Sequence, residues 1–312
     1  MDSKNTSYYM PEHPTIGRFA PSSTGPLHFG SLVCAFTSFL MAKRNNGQWL
    51  LRIEDIDLER CDSTHAQSIL HSLENHGLYW DTEVVYQTNR QDIYEQYLQR
   101  LNQSGFLYGC ACSRKQIKAR SEYYDQYCRY RQLPLTSHVV RFINDGSISA
   151  FADELAGEVS IDSHLCVEDP VLRRADGTIA YHLAAIADDI EQGVTQVVRG
   201  MDLLDVTPLH MQIYKSLSHS VPSYAHMPVA VHALGKKFAK QSYSPAIDHA
   251  HAAENLLTCL EFMGVAVNDL PDSNNVNEII TWSINEWQPA FMPMKSEIIV
   301  SESNGLYSVV NS

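Results

Sequence analysis

Residues able to bind and transfer phosphate compounds stand in two short segments of this sequence. His28, Gly30 and Ser31 lie at the start of an apolar run, and a histidine there can donate a hydrogen bond to a phosphate oxygen as charge develops. Lys237 and Lys240 belong to a lysine-rich segment, which can close over a polyphosphate and neutralise it. Each segment alone is more simply explained, the first as a polar helix start and the second as a solvated lysine cluster.

A third group consists of cysteines. Cys110 and Cys112 are two residues apart, and Cys128 follows after a basic stretch. Three cysteines this close together in a chain not expected to form disulfides indicate a structural zinc site with thiolate ligands. The alternative is that they are ordinary buried thiols. A fourth ligand is not evident from the spacing, and the candidates are Tyr124, Asp125 and His138.

The elements that must position these residues begin with a strand, turn, helix and strand. Residues 15–20 are extended, and 21–26 form a turn that contains two prolines. Apolar residues then recur at helical spacing from Leu27 until a stop signal at 45–47, and 48–53 are typical of a buried strand. A βαβ unit of this kind presents a helix N-terminus, where unpaired N–H groups favour phosphate binding.

Helices and strands continue to alternate along the chain, which predicts an α/β fold with a parallel sheet. Within residues 133–165, β-type runs at 139–143 and 158–161 indicate an inserted α+β module, and residues 179–189 then have the apolar density of a buried helix. The remaining predicted helices are 62–77, 91–104 and 208–218, and the remaining strands are 78–81, 84–86, 194–199 and 228–231.

Composition limits the possible partners and compartments. The 312 residues carry a formal net charge of −13, which disfavours long-range attraction of nucleic acid but leaves room for a local basic face, such as residues 114–131. We find no apolar leader and no run of 18 apolar residues, so we expect neither secretion nor membrane insertion. Seven cysteines, an odd number, suit a reducing compartment, and we expect a cytoplasmic protein.

Four motifs together resemble one family. Arg18-Phe19-Ala20-Pro21-Ser22, Gly25 to Gly30, and Leu51 to Asp57 look like the catalytic core of class I glutamyl-tRNA synthetases. His28 to Ser31 take the place of the family's His-Ile-Gly-His signature, and Lys237 to Gln241 are similar to its Lys-Met-Ser-Lys-Ser loop. Only 67 residues follow Pro245, too few for a large anticodon-binding region. The resemblance therefore narrows to the short glutamyl-Q tRNA(Asp) synthetase family.

The resemblance implies a division of the chain. Residues 1–105 and 186–250 would form a Rossmann-type catalytic domain with a parallel sheet, 106–185 an inserted zinc-binding α+β module, and 251–312 a short helical region. It also implies the zinc ligands, because the family's pattern of Cys-x-Cys, tyrosine and cysteine falls on Cys110, Cys112, Tyr124 and Cys128. We expect a monomer.

The resemblance also implies the reaction and its residues. L-glutamate and ATP, with Mg²⁺, would form glutamyl-adenylate, and the glutamyl group would pass to the queuosine base at the wobble position of tRNA(Asp). Guanidinium forks of Arg18 and Arg199 suit the two carboxylates, Glu54 would accept from the α-ammonium group, and Tyr181 would donate its phenolic hydrogen. The implied glutamate site is Arg18, Phe19, Ala20, Pro21, Ser22, Glu54, Tyr181 and Arg199; the ATP site is His28, Gly30, Ser31 and Lys240; and the catalytic residues are His28, Lys237 and Lys240.

Two departures from the family's patterns bear on activity. Ser31 replaces the signature's second histidine, and Ala239 replaces the serine of the lysine loop, with Phe238 before it. Because both lysines are present, we expect a weakened or retuned loop rather than an inactive one. Two alternatives stay open: a truncated glutamyl-tRNA synthetase that charges a tRNA 3′ end, and a catalytically impaired nucleotide- or RNA-binding module.

Overall fold

The structure is a computed structural model. It describes residues 14–162, 164–237 and 246–310, without the side chains of residues 165 and 237. No helix in these ranges is long and apolar enough to cross a membrane.

The predicted βαβ unit is present at the start of the described chain. Strand β1 (Ile16–Phe19) pairs in parallel with β2 (Gln48–Ile53), and helix α1 (Phe29–Lys43) connects them. Most of α1 is buried because β1 and β9 (Gln196–Gly200) lie against it on one side and C-terminal helices on the other. The helix therefore has a fixed position relative to the strand ends that flank it.

The remaining elements include most of the predicted helices and strands, together with several that were not predicted. The helices are α2 (Ser63–Asn75), α3 (Gln91–Gln103), α4 (Arg114–Arg120), α5 (Tyr181–Glu191), α6 (Thr207–Ser216), α7 (Ala252–Phe262) and α8 (Val276–Glu286). The strands are β3 (Val85–Tyr86), β4 (Leu107–Cys110), β5 (Val139–Phe142), β6 (Ala150–Asp153), β7 (Gly157–Ser160), β8 (Val171–Arg173), β10 (Ser223–Met227), β11 (Val229–Ala233), β12 (Lys236–Lys237), β13 (Glu297–Ser303) and β14 (Leu306–Val309).

Parallel strands form the centre of the molecule. Strands β1, β2 and β3 are parallel, as are β9 and β10. The two groups meet where the Thr195 N–H donates to the Ile16 carbonyl over 2.9 Å. Since the carboxyl ends of parallel strands lie at one edge of a sheet, residues at the ends of β1, β2 and β9 are brought together.

The expected strand at 78–81 is absent. Asp81 accepts hydrogen bonds from the Trp49 backbone N–H at 2.6 Å and from Lys43 Nζ at 2.5 Å. The side chain of Asp81 and its backbone N–H, which donates to the Trp49 carbonyl at 3.0 Å, thus satisfy the edge of β2 at this point, and the sheet continues at β3.

The inserted segment is less separate than expected. Strands β4, β5 and β8 form an antiparallel sheet of their own, but β6 and β7 extend the sheet of β9 and β10. Tyr224 on β10 pairs with Asp153 on β6, so this hairpin belongs to the same sheet as β9 and β10.

The expectation of a purely helical C-terminal region is wrong in part. Helices α7 and α8 are present, but β13 pairs in parallel with β11 and antiparallel with β14. Trp287 and the apolar faces of α7 and α8 belong to the same core as α1. The region therefore completes the sheet that leads into the lysine segment instead of closing the fold from outside.

Gly264 provides a test of this packing. Its φ is +92°, and a Cβ there would lie 1.8 Å from the Phe291 carbonyl oxygen, whereas Gly105, at φ +76°, has open space around it. We expect Gly264→Ala to lower the free energy of unfolding by about 3–5 kcal/mol, from left-handed strain and a forced shift of packed atoms together. Gly105→Ala should cost about 1–2 kcal/mol, from strain alone. Equal losses in denaturant unfolding would contradict the predicted clash.

Candidate active site

Four of the expected glutamate-site residues converge at the strand ends. Arg18 lies on β1, Glu54 directly follows β2, Arg199 lies on β9, and Tyr181 begins α5. Burial raises the pKa of the Tyr181 hydroxyl, and the charges of Arg199, Glu54 and Arg18 all act on it. The four side chains therefore share one partly enclosed site.

Buried ion pairs hold Arg18 in place. Its Nε lies 3.2 Å from Asp189 Oδ1, and its Nη1 donates to the Val198 carbonyl over 3.3 Å. Burial opposes ionisation of Asp189, but Arg18 and Arg52 more than offset it, so the pKa of Asp189 stays below its ordinary value. Three N–H groups of Arg18 have no acceptor among the described residues, and they leave an edge of the guanidinium open to a carboxylate.

Glu54 is a carboxylate in a poorly solvated position. Its Oε1 lies 3.3 Å from Arg52 Nη2. Burial raises the pKa of Glu54, and the neighbouring Arg52 and Arg18 offset this only in part. A cation placed beside Glu54 would favour its ionised form. The position is thus suited to an ammonium group.

Sequence reasoning did not identify Arg52 as a site residue. The side chain is fully buried, and its Nη1 donates to Asp189 Oδ1 at 2.7 Å and to Gln192 Oε1 at 2.8 Å. The available signal was a single charge within an otherwise apolar strand, QWLLRI. A charge in that setting requires a buried partner, and α5 supplies it.

Arg199 differs from Arg18 because most of its donors are already used. Its Nε donates to His226 Nε2 at 3.1 Å and its Nη1 to His210 Nδ1 at 3.3 Å. Its Nη2 donates to the Leu203 carbonyl at 3.2 Å and to Thr207 Oγ1 at 2.7 Å. One of five N–H groups is left without a described acceptor. The expected two-pronged contact of Arg199 with a carboxylate is not available in this arrangement.

The expected glutamate segment 18–22 is only partly turned towards the site. The Phe19 ring is buried in the core and stacks on Trp49 at 6.4 Å, so a ligand could reach only its backbone. Ala20 and Pro21 form the connection between β1 and the following loop. Ser22 pairs with Glu54 through an isolated parallel bridge, and this places the loop beside the carboxylate.

His28 stands at the beginning of α1, as expected. It is the N-cap residue, with Nδ1 accepting the Ser31 backbone N–H at 3.3 Å and Nε2 lying 3.0 Å from Ser31 Oγ. Gly30 is in the first turn, and a Cβ there would meet Ala230 and the His28 ring at 3.5 Å, an ordinary contact. Protein packing does not require glycine at this position, which agrees with a surface kept clear for a ligand.

The lysine segment lies largely outside the described residues. Lys237 ends β12, which pairs with β11, but its side chain is not described, and Phe238, Ala239 and Lys240 lie outside the described ranges. After the gap, the Ile247 N–H donates to the Leu27 carbonyl over 2.9 Å. Ile247 therefore lies beside the start of α1.

The cysteines form a compact cluster that begins at the end of β4. The Sγ atoms of Cys110, Cys112 and Cys128 all lie within 4.8 Å of one another, and the last two are 3.6 Å apart. A tetrahedral zinc site with Zn–S bonds of about 2.3 Å has sulfur atoms about 3.8 Å apart. The three thiols therefore lie close enough together to bind one metal ion.

The candidates for a fourth ligand differ in position. The Asp125 carboxylate is bound by Arg120 at 2.6 Å, and His138 Nδ1 lies 2.9 Å from the Pro134 carbonyl. The Tyr124 hydroxyl accepts the Cys128 backbone N–H at 3.1 Å. Burial, together with a hydrogen bond to the Cys110 thiol, raises the pKa of Tyr124. Tyr124 is therefore the candidate whose oxygen adjoins the cysteines.

Comparison with known proteins agrees with this arrangement. Residues 15–282 match the sequence model of the tRNA synthetases of class I (E and Q), catalytic domain. The fold is also similar to that of a glutamate-tRNA synthetase from Elizabethkingia anophelis, with a TM-score of 0.75 at 24% identity over 91% of this chain and 67% of the other. The fold and the site thus define a class I tRNA synthetase catalytic domain.

More similar relatives cover nearly the whole chain. The glutamyl-Q tRNA(Asp) synthetase of Photobacterium profundum is 40% identical over 93% of both chains. That of Vibrio vulnificus strain CMCP6 is 41% identical over 93% of this chain and 95% of its own. The chain therefore belongs to the glutamyl-Q tRNA(Asp) synthetase family.

Proposed function

We propose that this protein activates L-glutamate with ATP and transfers the glutamyl group to the queuosine base at the wobble position of tRNA(Asp). The main support for the proposal is that N–H groups of the Arg18 guanidinium are left open to a carboxylate beside the poorly solvated Glu54. An amino acid with a second carboxylate presents the complementary charges: two anionic groups and one ammonium. The family to which the chain belongs supports the queuosine base as acceptor.

Each glutamate-site residue then has a distinct role. The open edge of Arg18 binds one carboxylate with two parallel hydrogen bonds. Glu54 accepts a hydrogen bond from the α-ammonium group, and Tyr181 donates its phenolic hydrogen to the substrate. Arg199 contributes a single N–H and a positive charge. Phe19, Ala20, Pro21 and Ser22 shape the site chiefly through the path of their backbone.

The ATP site is proposed at the start of α1. Gly30 offers a first-turn N–H group and Ser31 its hydroxyl, and the helix dipole favours negative charge there. His28 and Lys240 stabilise the charge that builds up on the α-phosphate and on the leaving pyrophosphate, with Lys237 beside them. Mg²⁺ that enters with ATP neutralises further phosphate charge. Binding the glutamate carboxylate in line with the α-phosphorus supplies much of the rate.

A structural zinc ion is proposed in the inserted module. The sulfur separations fit a single ion, and Arg120 Nη2 donates to Cys112 Sγ over 3.3 Å, as suits a charged thiolate. Cys110, Cys112, Tyr124 and Cys128 would hold the metal, whose role is to stabilise the fold of the module. We also propose a division into catalytic halves at 1–105 and 186–250, a module at 106–185, and a C-terminal region at 251–312.

A single assay tests the function. The purified protein is incubated with ATP, radiolabelled glutamate and tRNA(Asp), either containing or lacking queuosine, and the labelled RNA is then cut into fragments. We expect label only on the queuosine-containing RNA, in the anticodon fragment. Label at the 3′ end would identify a truncated charging enzyme instead. Absence of glutamate-dependent pyrophosphate exchange would leave only a binding module.

A further inference from the structure

A chain of hydrogen bonds between buried side chains runs behind the proposed glutamate site. Asp153 Oδ2 lies 2.6 Å from His226 Nδ1, and both side chains are fully buried. His226 Nε2 accepts from Arg199, whose Nη1 donates to His210 Nδ1. His210 Nε2 in turn lies 3.0 Å from His182 Nδ1. The chain links a strand of the inserted hairpin to the first turn of α5, with Arg199 in the middle.

The chemistry of arginine fixes the direction of every bond in this chain. A guanidinium can only donate, so His226 Nε2 and His210 Nδ1 must both be acceptors without hydrogen. The hydrogen of neutral His226 is then on Nδ1, where Asp153 accepts it. The hydrogen of neutral His210 is on Nε2, where His182 Nδ1 accepts it. One tautomer of each histidine satisfies all the contacts.

The neutral form of the histidines agrees with their surroundings. Burial, together with the positive charge of Arg199, lowers the pKa of His182 to about 4. Burial, followed by the charge of Arg199, lowers the pKa of His210 well below its ordinary value. Burial also lowers the pKa of His226, although the Asp153 carboxylate opposes this.

We propose that His210 and His226 are positioning residues that aim the one remaining N–H of Arg199 at the substrate carboxylate. The inference rests on the proposed function, because it takes Arg199 to contact glutamate. An arginine side chain otherwise has many rotamers, and ordering it on binding costs free energy. The Nε, one hydrogen of Nη1 and both hydrogens of Nη2 each have an acceptor, and these four bonds hold the guanidinium in one plane before the substrate arrives.

The test uses variants at His210 and pyrophosphate exchange at varied glutamate and ATP. His210→Leu keeps the bulk of the side chain but removes the acceptor for Nη1, and we expect the KM for glutamate to rise about tenfold with the KM for ATP unchanged. In His210→Asn, the amide oxygen takes the place of Nδ1, and the KM for glutamate should return to within about threefold of that of the wild-type protein. His219→Leu, the same change just beyond α6, is the matched control.

A second variant tests the same inference if His210→Leu fails to fold. Thr207→Val is nearly isosteric and removes the hydroxyl that accepts from Nη2, so it should raise the KM for glutamate selectively as well. An equal rise in both KM values, an unchanged KM for glutamate in His210→Leu and Thr207→Val, or failure of His210→Asn to restore it would overturn the inference. Absence of glutamate-dependent exchange in the wild-type protein would overturn the proposed function first, before any variant is compared.

Discussion

Replacement of Arg18 by alanine is expected to reduce glutamate-dependent pyrophosphate exchange by about 10²- to 10⁴-fold. The estimate follows from the loss of two charge-assisted hydrogen bonds to one carboxylate, each worth about 1.5–3 kcal/mol. Arg18→Lys should lose most of the same activity, because a lysine keeps the charge but cannot form the fork. Steady-state exchange at saturating ATP and varied glutamate measures both variants.

The control for this prediction is Arg44→Ala at the end of α1. The substitution also removes an arginine side chain, but from a partly exposed position outside the glutamate site. We expect its activity to stay close to that of the wild-type protein. Since Arg18→Ala also removes a partner of Asp189, its thermal unfolding must be compared with that of the wild type. A folded Arg18→Ala protein with near wild-type exchange would contradict the assignment of Arg18 to the substrate carboxylate.

The local part of the site could be predicted from the sequence. The start of α1 at His28 follows from a proline-containing turn, an apolar run at helical spacing and a clear stop after residue 44. These signals lie within a few residues of one another. The parallel strands β1 and β2 follow for the same reason, and so the positions of Arg18 and Glu54 at neighbouring strand ends were foreseeable.

The surroundings of Arg199 could not be predicted in this way. Its partners come from β10, from α6 and, through His226, from Asp153 on the inserted hairpin. Histidines that are far apart in sequence carry no shared periodicity, and only the packing of three elements brings them together. The same reasoning explains Arg52, whose partner Asp189 lies on a distant helix.

The missed C-terminal strands have a related physical cause. Strand β13 pairs with β11, and the chain between them contains α7 and α8. In β13, buried residues alternate with half-buried ones over the first four positions, and the last three residues of EIIVSES are exposed. The resemblance implied only a short helical region at 251–312. Whether such a short segment forms a strand depends on its pairing with a strand that is remote in the sequence.

The second large expected effect concerns the cysteine cluster: the Cys110→Ser variant should lose its metal. We expect tag-free wild-type protein to contain one zinc ion per chain, by elemental analysis, and the variant to contain almost none. A structural zinc site contributes about 10–16 kcal/mol of apparent binding free energy at neutral pH, which is comparable to the whole stability of a domain at about 5–15 kcal/mol. The inserted module should therefore open locally in the variant and become sensitive to limited proteolysis.

Cys166→Ser provides the matched control in the same module. Cys166 is buried and donates to the Ile161 carbonyl over 3.5 Å, a bond that serine can also form, and it is not one of the clustered thiols. Its zinc content and resistance to protease should equal those of the wild type. Tyr124→Phe tests the fourth ligand, since it keeps the ring beneath the Arg141 guanidinium and removes only the hydroxyl. Zinc well below one per chain in the wild-type protein, with an intact module in Cys110→Ser, would show that the cysteines are ordinary buried thiols.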